Sequence, residues 1–158
     1  MDVQDLGRMA IVADPSGAPI GLWQAGIHRG LLTTAEPGHV AWCELHTAGF
    51  AQTLQFGRDV FGWDIATVAD SPEFRYATGS IHGEEVVGVM EAGHNRPEGP
   101  TGANAPQWAV YLQVEDVDAA LAHAVELGAT TVHPPHDSPY GRLVALTDPT
   151  GALVKLVG

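Results

Sequence analysis

Two kinds of hydrophobic pattern alternate along this chain. Short runs have a two-residue hydrophobic period, and other stretches place apolar residues every three or four positions. The first pattern is typical of half-buried β-strands and the second of amphipathic helices. From residue 39 onward, one strand is followed by one helix and three more strands, and this order occurs twice. The pattern therefore predicts two β-α-β-β-β units in tandem.

The first unit opens with a predicted strand over residues 39–46 (HVAWCELH). Phe50, Leu54 and Phe61 then recur at helical spacing, and Gly62 offers a helix stop. Three further strands are predicted over residues 65–68, 74–81 and 85–91.

The second unit repeats this order from a predicted strand over residues 108–114. Asp116 can cap a helix, Val117 and Leu121 lie on its apolar stripe, and Gly128 ends it. The three remaining strands are predicted over residues 130–132, 143–146 and 153–157.

One hairpin sequence stands near both ends of the chain. Residues 7–24 read GRMAIVADPSGAPIGLWQ and residues 141–158 read GRLVALTDPTGALVKLVG, and a degenerate copy lies midway, around residues 85–90. In the two outer copies, apolar strands flank an Asp-Pro-x-Gly turn, in which proline presets φ and glycine supplies a positive φ.

These repeats predict a division of the chain into four segments. Residues 1–36 hold the extra hairpin and a linker, residues 37–92 the first unit, residues 93–106 a Gly/Pro/Asn-rich linker, and residues 107–158 the second unit. We interpret residues 7–24 as the last two strands of an incomplete third unit. A lone hairpin is not stable in water, so we expect it to dock on the main sheet or to pair with another chain.

Composition narrows the class of protein. With 158 residues, 45% of them hydrophobic and 16% charged, one globular α+β domain is expected. A formal net charge of −12 argues against binding to nucleic acid or to anionic membranes. Cys43 is the only cysteine, which excludes an intrachain disulfide, and no apolar run approaches a membrane span. We therefore expect a soluble, cytoplasmic protein.

The tandem units, the Asp-Pro-Thr-Gly turn before the last strand and Phe61-Gly62-Trp63 after the first helix resemble the vicinal oxygen chelate superfamily. Its members include glyoxalase I, extradiol dioxygenases and the fosfomycin- and bleomycin-resistance proteins. ADPSGAPIGLWQ together with WCEL is similar to actinobacterial glyoxalase-like proteins labelled hydroxylases, which hold four such units. The resemblance implies a U-shaped sheet whose cup binds a small molecule.

The resemblance also implies metal ligands, one from the first strand and one from the last strand of each unit. These places fall on Trp42 and Ala109 in the first strands and on Gly88 and Lys155 in the last strands. None of these side chains binds a divalent cation at neutral pH, and Glu44, two residues from Trp42, is a single carboxylate. We therefore expect no metal cofactor, with a non-standard divalent metal site as the alternative.

The alternation of side chains along the predicted strands indicates which residues line the cup. For Glu44 we consider a general base, an anchor for a cationic ligand group or a structural salt bridge with a nearby cation. His133 and His136 flank two prolines, which predicts a strand end and a turn rather than a metal site. The remaining candidate ligand-binding residues are Trp42, His46, Tyr111, Gln113, Arg142 and Lys155.

Two main functional hypotheses follow. The first is a metal-free protein that binds a small aromatic or cationic molecule, such as an antibiotic, as bleomycin-resistance proteins do. The second is an enzyme, a glyoxalase-like lyase, isomerase, hydroxylase or dioxygenase, that uses Glu44 or a metal. A remnant without a ligand is a third reading. We further expect a homodimer, because an unpaired hairpin offers a strand edge to a partner.

Overall fold

A computed structural model describes residues 1–30, 36–92 and 106–158. Residues 93–105 of the predicted inter-unit linker, and part of the linker after the hairpin, lie outside the described residues. In chain order, the described elements are β1 (Asp2–Val3), β2 (Gly7–Ala13), β3 (Pro19–Ala25), β4 (Val40–Thr47), α1 (Phe50–Phe56), β5 (Asp64–Asp70), β6 (Arg75–Ile81), β7 (Glu84–Glu91), β8 (Gln107–Gln113), α2 (Val117–Glu126), β9 (Thr130–Ser138), β10 (Gly141–Thr147) and β11 (Leu153–Val157).

Both predicted β-α-β-β-β units contribute to one eight-stranded sheet. Its strand order is β5-β6-β7-β4-β8-β11-β10-β9, and the halves meet where β4 and β8 pair antiparallel. Within each half, the last strand lies parallel to the first, with Glu44 opposite Gly88 and Tyr111 opposite Lys155. The α+β class and the tandem arrangement predicted from the sequence are confirmed.

The helix of the first unit packs on one face of the sheet. Phe50 and Leu54 bury themselves against Trp63 and against Val87 and Val89 of β7. After α1 the chain continues as a π-helical turn, Gly57–Phe61, and ends at Gly62 in the left-handed conformation. This stop is the one predicted from the sequence, because glycine adopts a positive φ without steric cost.

The helix of the second unit packs on its own half of the sheet in the same way. The Asp116 carboxylate caps α2 by accepting a hydrogen bond from the backbone N–H of Ala119 at 2.9 Å. Val117 is buried against Val144 and Leu156. Because successive strand residues point to opposite faces, the residues between these core positions line the other, concave face of the sheet.

Residues near the N-terminus form a separate three-stranded sheet, β1-β2-β3. Its turn docks on the first unit through Asp14, which is 7% exposed and lies with Oδ2 3.5 Å from the Thr53 hydroxyl of α1. The other oxygen of Asp14 accepts hydrogen bonds from Ser16 and from the backbone N–H of Ala18. The hairpin is therefore ordered by its own turn and held at its tip.

The prediction that a turn follows residue 132 is wrong, since β9 continues through His133, Pro134, Pro135 and His136. Proline lacks the N–H that a central strand needs, but β9 lies at the edge of the sheet, where that donor is not required. The pairing of β9 with β10 is irregular on both sides of Ala145. Among the described helices, none has the length and hydropathy needed to cross a bilayer.

Candidate functional site

The concave face of the large sheet encloses a cavity of about 1490 Å³. Cavities that hold drug-sized ligands commonly range from about 300 to 1,000 Å³, so this one is spacious. Its lining is mainly apolar and includes several aromatic side chains, and polar side chains lie both on the central strands and on the arms. The lining includes Trp42, Phe74, Tyr76, Met90, Tyr140 and Leu143 on the walls and Glu44, Tyr111 and Lys155 on the floor.

Glu44 is the centre of a buried polar network on the cavity floor. His46 Nε2 lies 2.5 Å from Glu44 Oε1, Lys155 Nζ lies 3.0 Å from the same oxygen, and the Tyr111 hydroxyl lies 3.3 Å from both carboxylate oxygens. Since an ionised carboxylate only accepts hydrogen bonds, all three groups donate to it. We call Glu44, His46, Tyr111 and Lys155 the polar cluster.

The surroundings of Glu44 keep its carboxyl ionised. Burial acts to raise the pKa, but the hydrogen bond from His46 and the charge of Lys155 outweigh it and hold the pKa of Glu44 at about 2. At neutral pH the side chain is therefore a carboxylate that accepts hydrogen bonds from His46, Lys155 and Tyr111. A group with so low a pKa is a poor proton acceptor in the resting site.

Lys155 connects the two units of the sheet. Its Nζ donates to the Tyr111 hydroxyl at 2.7 Å and lies 4.5 Å from the centroid of the Tyr111 ring. Lys155 as a whole residue is 9% exposed, and Glu44 is 5% exposed. Ion pairs this deep are screened little by solvent, so the geometry of the cluster is tightly defined.

Gly88 makes room for an aromatic pair on the first unit's side of the floor. A Cβ at this position would lie 2.8 Å from Trp42 Nε1 and closer still to the Tyr76 hydroxyl, a separation that real side chains do not tolerate. In the space so provided, Trp42 Nε1 donates to the Tyr76 hydroxyl at 3.3 Å. Burial and the charge of Glu44 raise the pKa of Tyr76, so this phenol stays protonated.

The structure brings most of the predicted site residues together. Trp42, Gln113 and three members of the polar cluster line the cavity, while His46 is buried beside Glu44 and is not part of the lining. Arg142 is not part of this group. It points to the face that carries α2, where it forms exposed ion pairs with Asp118 at 2.7 Å and Asp137 at 2.8 Å. Period-two alternation explains this, because Arg142 shares its face with the core residue Val144.

Some lining residues were not among the sequence-based candidates. Phe74 and Tyr76 stack with their ring centroids 6.0 Å apart and an interplanar angle of 7°. Thr78 lies next to Gly88 in the sheet. The repeat could have indicated the wall they form, since Tyr76 and Thr78 occupy the positions of Leu143 and Ala145 in the other unit. His133 and His136 also line the cavity, on the opposite arm.

The metal site implied by the resemblance does not fit these residues. The strand register places Glu44 and Tyr111, rather than Trp42 and Ala109, beside Gly88 and Lys155. Of these four positions, one lacks a side chain and another carries an ammonium group that repels a divalent cation. Over residues 1–30, 36–92 and 106–158, no group of three or more His, Cys, Asp or Glu side chains is arranged to hold a metal ion.

Solved structures share this fold. A variant of methylmalonyl-CoA epimerase from Streptomyces coelicolor, in complex with 2-nitronate-propionyl-CoA, superposes with a TM-score of 0.57 over 77% of this chain and 97% of that chain, at 20% identity. The methylmalonyl-CoA epimerase of Mycobacterium tuberculosis gives a TM-score of 0.53 over 82% of this chain and 92% of that chain, at 15% identity. At such identities the likeness concerns the fold alone.

Sequence comparison finds nearer relatives. The anthracycline biosynthesis protein DauV of Streptomyces sp. strain C5 is 40% identical over 161 residues, a match that covers 99% of this chain and 54% of DauV. DnrV of Streptomyces peucetius, also named an anthracycline biosynthesis protein, is 39% identical with the same coverage. The chain thus spans about half the length of these relatives. Residues 38–156 match the sequence model of the Glyoxalase/Bleomycin resistance protein/Dioxygenase superfamily, and the chain belongs to this superfamily.

Proposed function

We propose that the chain binds a planar, oxygen-bearing aromatic molecule in the cavity of its large sheet, without a metal. The observation that carries this proposal is the combination of aromatic walls with the buried polar cluster on the floor. Apolar cavities with a few polar anchors are typical of sites for small organic ligands. The polar cluster would hold the oxygen substituents, and the walls would cover the flat faces.

The walls favour an aromatic ligand over an aliphatic one. Phe74 and Tyr76 form a stacked surface on one arm, Trp42 extends it toward the floor, and Tyr140 and His136 lie on the opposite arm. Aromatic pairs in offset or edge contact contribute about 0.5–1.5 kcal/mol beyond the area they bury. The names of DauV and DnrV, which link them to anthracycline biosynthesis, make a polycyclic quinone our first choice of ligand.

Titration of the purified protein into an anthracycline solution, followed by the ligand's own visible fluorescence, tests this proposal. Trp42→Ala should weaken binding about tenfold, which corresponds to about 1.4 kcal/mol. Trp23→Ala is the matched control, because Trp23 lies in β3 of the separate N-terminal sheet. Saturable binding that Trp42→Ala weakens and Trp23→Ala leaves unchanged is expected. Absence of binding by the unaltered protein, or an equal loss in both variants, would contradict the proposal.

Proton-transfer catalysis on a ligand of the same class is a second candidate function. It is favoured by one observation, the close packing of a carboxylate, an imidazole, a phenol and an ammonium group around one point. In this reading Glu44 would act as general base after the ligand displaces one of its donors. The low pKa of Glu44 in the resting site argues for binding as the first choice.

Proton exchange at a carbon next to a ligand carbonyl separates these two candidates. If the site catalyses proton transfer, incubation of the bound ligand in D₂O should introduce deuterium at that carbon, as read by NMR. Glu44→Gln should abolish the exchange, because an amide cannot accept the proton. If deuterium exchange is no faster than in buffer while the ligand still binds, the site has a binding function and no proton-transfer activity.

A further inference from the structure

Three protein donor atoms from three side chains converge on the ammonium group of Lys155. Nζ lies 2.7 Å from the Tyr111 hydroxyl, 3.0 Å from Glu44 Oε1 and 3.5 Å from His46 Nε2. A carboxylate, an imidazole and a phenol are all groups that bind divalent transition metals. The charged nitrogen therefore lies within 3.5 Å of one atom from each of three side chains whose types bind metals.

Repetition of the unit supports this interpretation. Lys155 and Gly88 stand 67 residues apart at equivalent places, each opposite the first strand of its own unit. On the first unit's side, the absent side chain lets Trp42 and Tyr76 fill the space. On the second unit's side, the long lysine side chain reaches across to Glu44 and brings a positive charge to the floor.

We propose that Lys155 is a built-in cation that takes the place of a divalent metal, and that its side chain fills a latent metal site formed by Glu44, His46 and Tyr111. This inference rests on the proposed binding function in one respect. The ammonium group would provide the positive charge to which a ligand oxygen is drawn, a task that a metal performs by Lewis acidity.

When the lysine side chain is removed, one positive charge leaves the floor and a divalent ion brings two. The charge balances if the Tyr111 hydroxyl releases its proton to solvent and binds as a phenolate, so binding of the ion would release a proton. His46 would have to present an unprotonated ring nitrogen to the ion. Three protein ligands with an open fourth position filled by water match the usual coordination of zinc at catalytic sites. The donors would have to close in to about 2.0–2.2 Å from the metal.

Zinc titration of the full chain without a polyhistidine tag, followed by isothermal calorimetry and thermal unfolding, tests the inference. Lys155→Ala should bind zinc at least about tenfold more tightly than the unaltered protein. The double variant Lys155→Ala/Glu44→Gln is the matched control, because it lacks the same lysine and also one proposed ligand. The double variant should bind zinc no more tightly than the unaltered protein does.

Zinc binding that appears in Lys155→Ala and is lost in the double variant supports the latent metal site. Equal zinc affinity in the unaltered protein and Lys155→Ala, or in Lys155→Ala and the double variant, overturns it. If Lys155→Ala is unfolded on its own, zinc or propylammonium should restore its thermal transition, and rescue by neither also overturns the inference.

Failure of this inference is distinguishable from failure of the proposed function. The anthracycline titration uses the unaltered protein and needs no metal, whereas the zinc titration of Lys155→Ala needs no organic ligand. A protein that binds the aromatic ligand but gains no zinc site on loss of Lys155 would retain the proposed function and lose only the role assigned to the lysine.

Discussion

Glu44 and Lys155 form a buried ion pair at the centre of the large sheet. Removing two charges from water is costly, and only the surrounding donors and their mutual attraction offset that cost. Here the offset comes from His46 and Tyr111, which complete the hydrogen bonding of the carboxylate. The pair is consequently more sensitive to the loss of one member than an exposed pair would be.

Glu44→Gln should lower the free energy of unfolding by about 3 kcal/mol, because it leaves the ammonium of Lys155 buried without its counter-charge. Urea denaturation at neutral pH measures the loss. Asp118→Asn is the matched control, since it removes the carboxylate from an exposed pair with Arg142, and it should have a much smaller effect. Equal losses of unfolding free energy in the two variants would show that the buried pair contributes no more to stability than the exposed pair.

The pKa of Glu44 also predicts how stability depends on pH. Its folded-state pKa of about 2 lies below the ordinary value of 4.5, so the folded state favours the ionised form. The resulting stabilisation is complete above pH 4.5 and is lost as the pH falls from 4.5 toward 2. His46, Lys155, Tyr111 and Tyr76 face this carboxylate.

Urea unfolding at a series of pH values between 5 and 3 should therefore show a steeper loss of stability in the unaltered protein than in Glu44→Gln. Other carboxyl groups titrate in both proteins, so the difference between the two curves reports on Glu44. Parallel curves over this interval would contradict the assigned shift.

The last strands of the three hairpin copies carry Gly21, Gly88 and Lys155 at one equivalent position, and the two glycines have different surroundings. Gly88 of β7 packs against the Trp42–Tyr76 pair, whereas the equivalent Gly21 of β3 has its nearest neighbour, Ile11 Cδ1, 3.6 Å from where a Cβ would be. One glycine is thus required by close approach of side chains, and the other is not.

Gly88→Ala should lower the free energy of unfolding by about 1–3 kcal/mol and also weaken ligand binding, because the new methyl group displaces the aromatic pair. Gly21→Ala is the control at the equivalent position, where the methyl group meets only ordinary contacts. Chemical denaturation and the fluorescence titration give the two measurements. A Gly88→Ala protein as stable as Gly21→Ala would disprove the steric role.

Sequence patterns predicted the order of the elements and most of the cavity face, because strand alternation and helix stops are local properties. Glu44, Tyr111 and Lys155 were found in this way. The register between strands is not local, so the metal-ligand positions that the family resemblance implies were assigned to Trp42 and Ala109 rather than to Glu44 and Tyr111. Likewise, the sequence could not say whether burial or a neighbouring cation would control the pKa of Glu44.

At the scale of the whole molecule, the N-terminal sheet leaves apolar side chains in solvent. Ile11 of β2 is 62% exposed, Ile27, two residues after β3, is 70% exposed, and β3 is an edge strand of its sheet. Unpaired edges with apolar neighbours favour association with another chain. The homodimer expected from the sequence thus remains our proposal, with this sheet as the contact.

Sedimentation equilibrium should give twice the chain mass of 16.6 kDa if the N-terminal sheets of two copies associate. Ile11→Lys should shift the equilibrium to the monomer, because a charge replaces an apolar contact. Leu127→Lys changes an equally exposed leucine beyond α2, far along the chain from the hairpin, and should leave the dimer intact. A monomeric unaltered protein would exclude this arrangement.

Gly88 and Lys155 occupy equivalent positions in the two units, so the two halves of the cavity floor are unlike. Two copies of a unit, built with equivalent strands, could have produced a symmetric cavity in which a guest lies equally well either way round. With the ammonium group of Lys155 on one side and an aromatic pair on the other, the floor instead has a direction. An elongated molecule with unlike ends should therefore bind in a single orientation, and an isomer in which the two ends are exchanged should not bind.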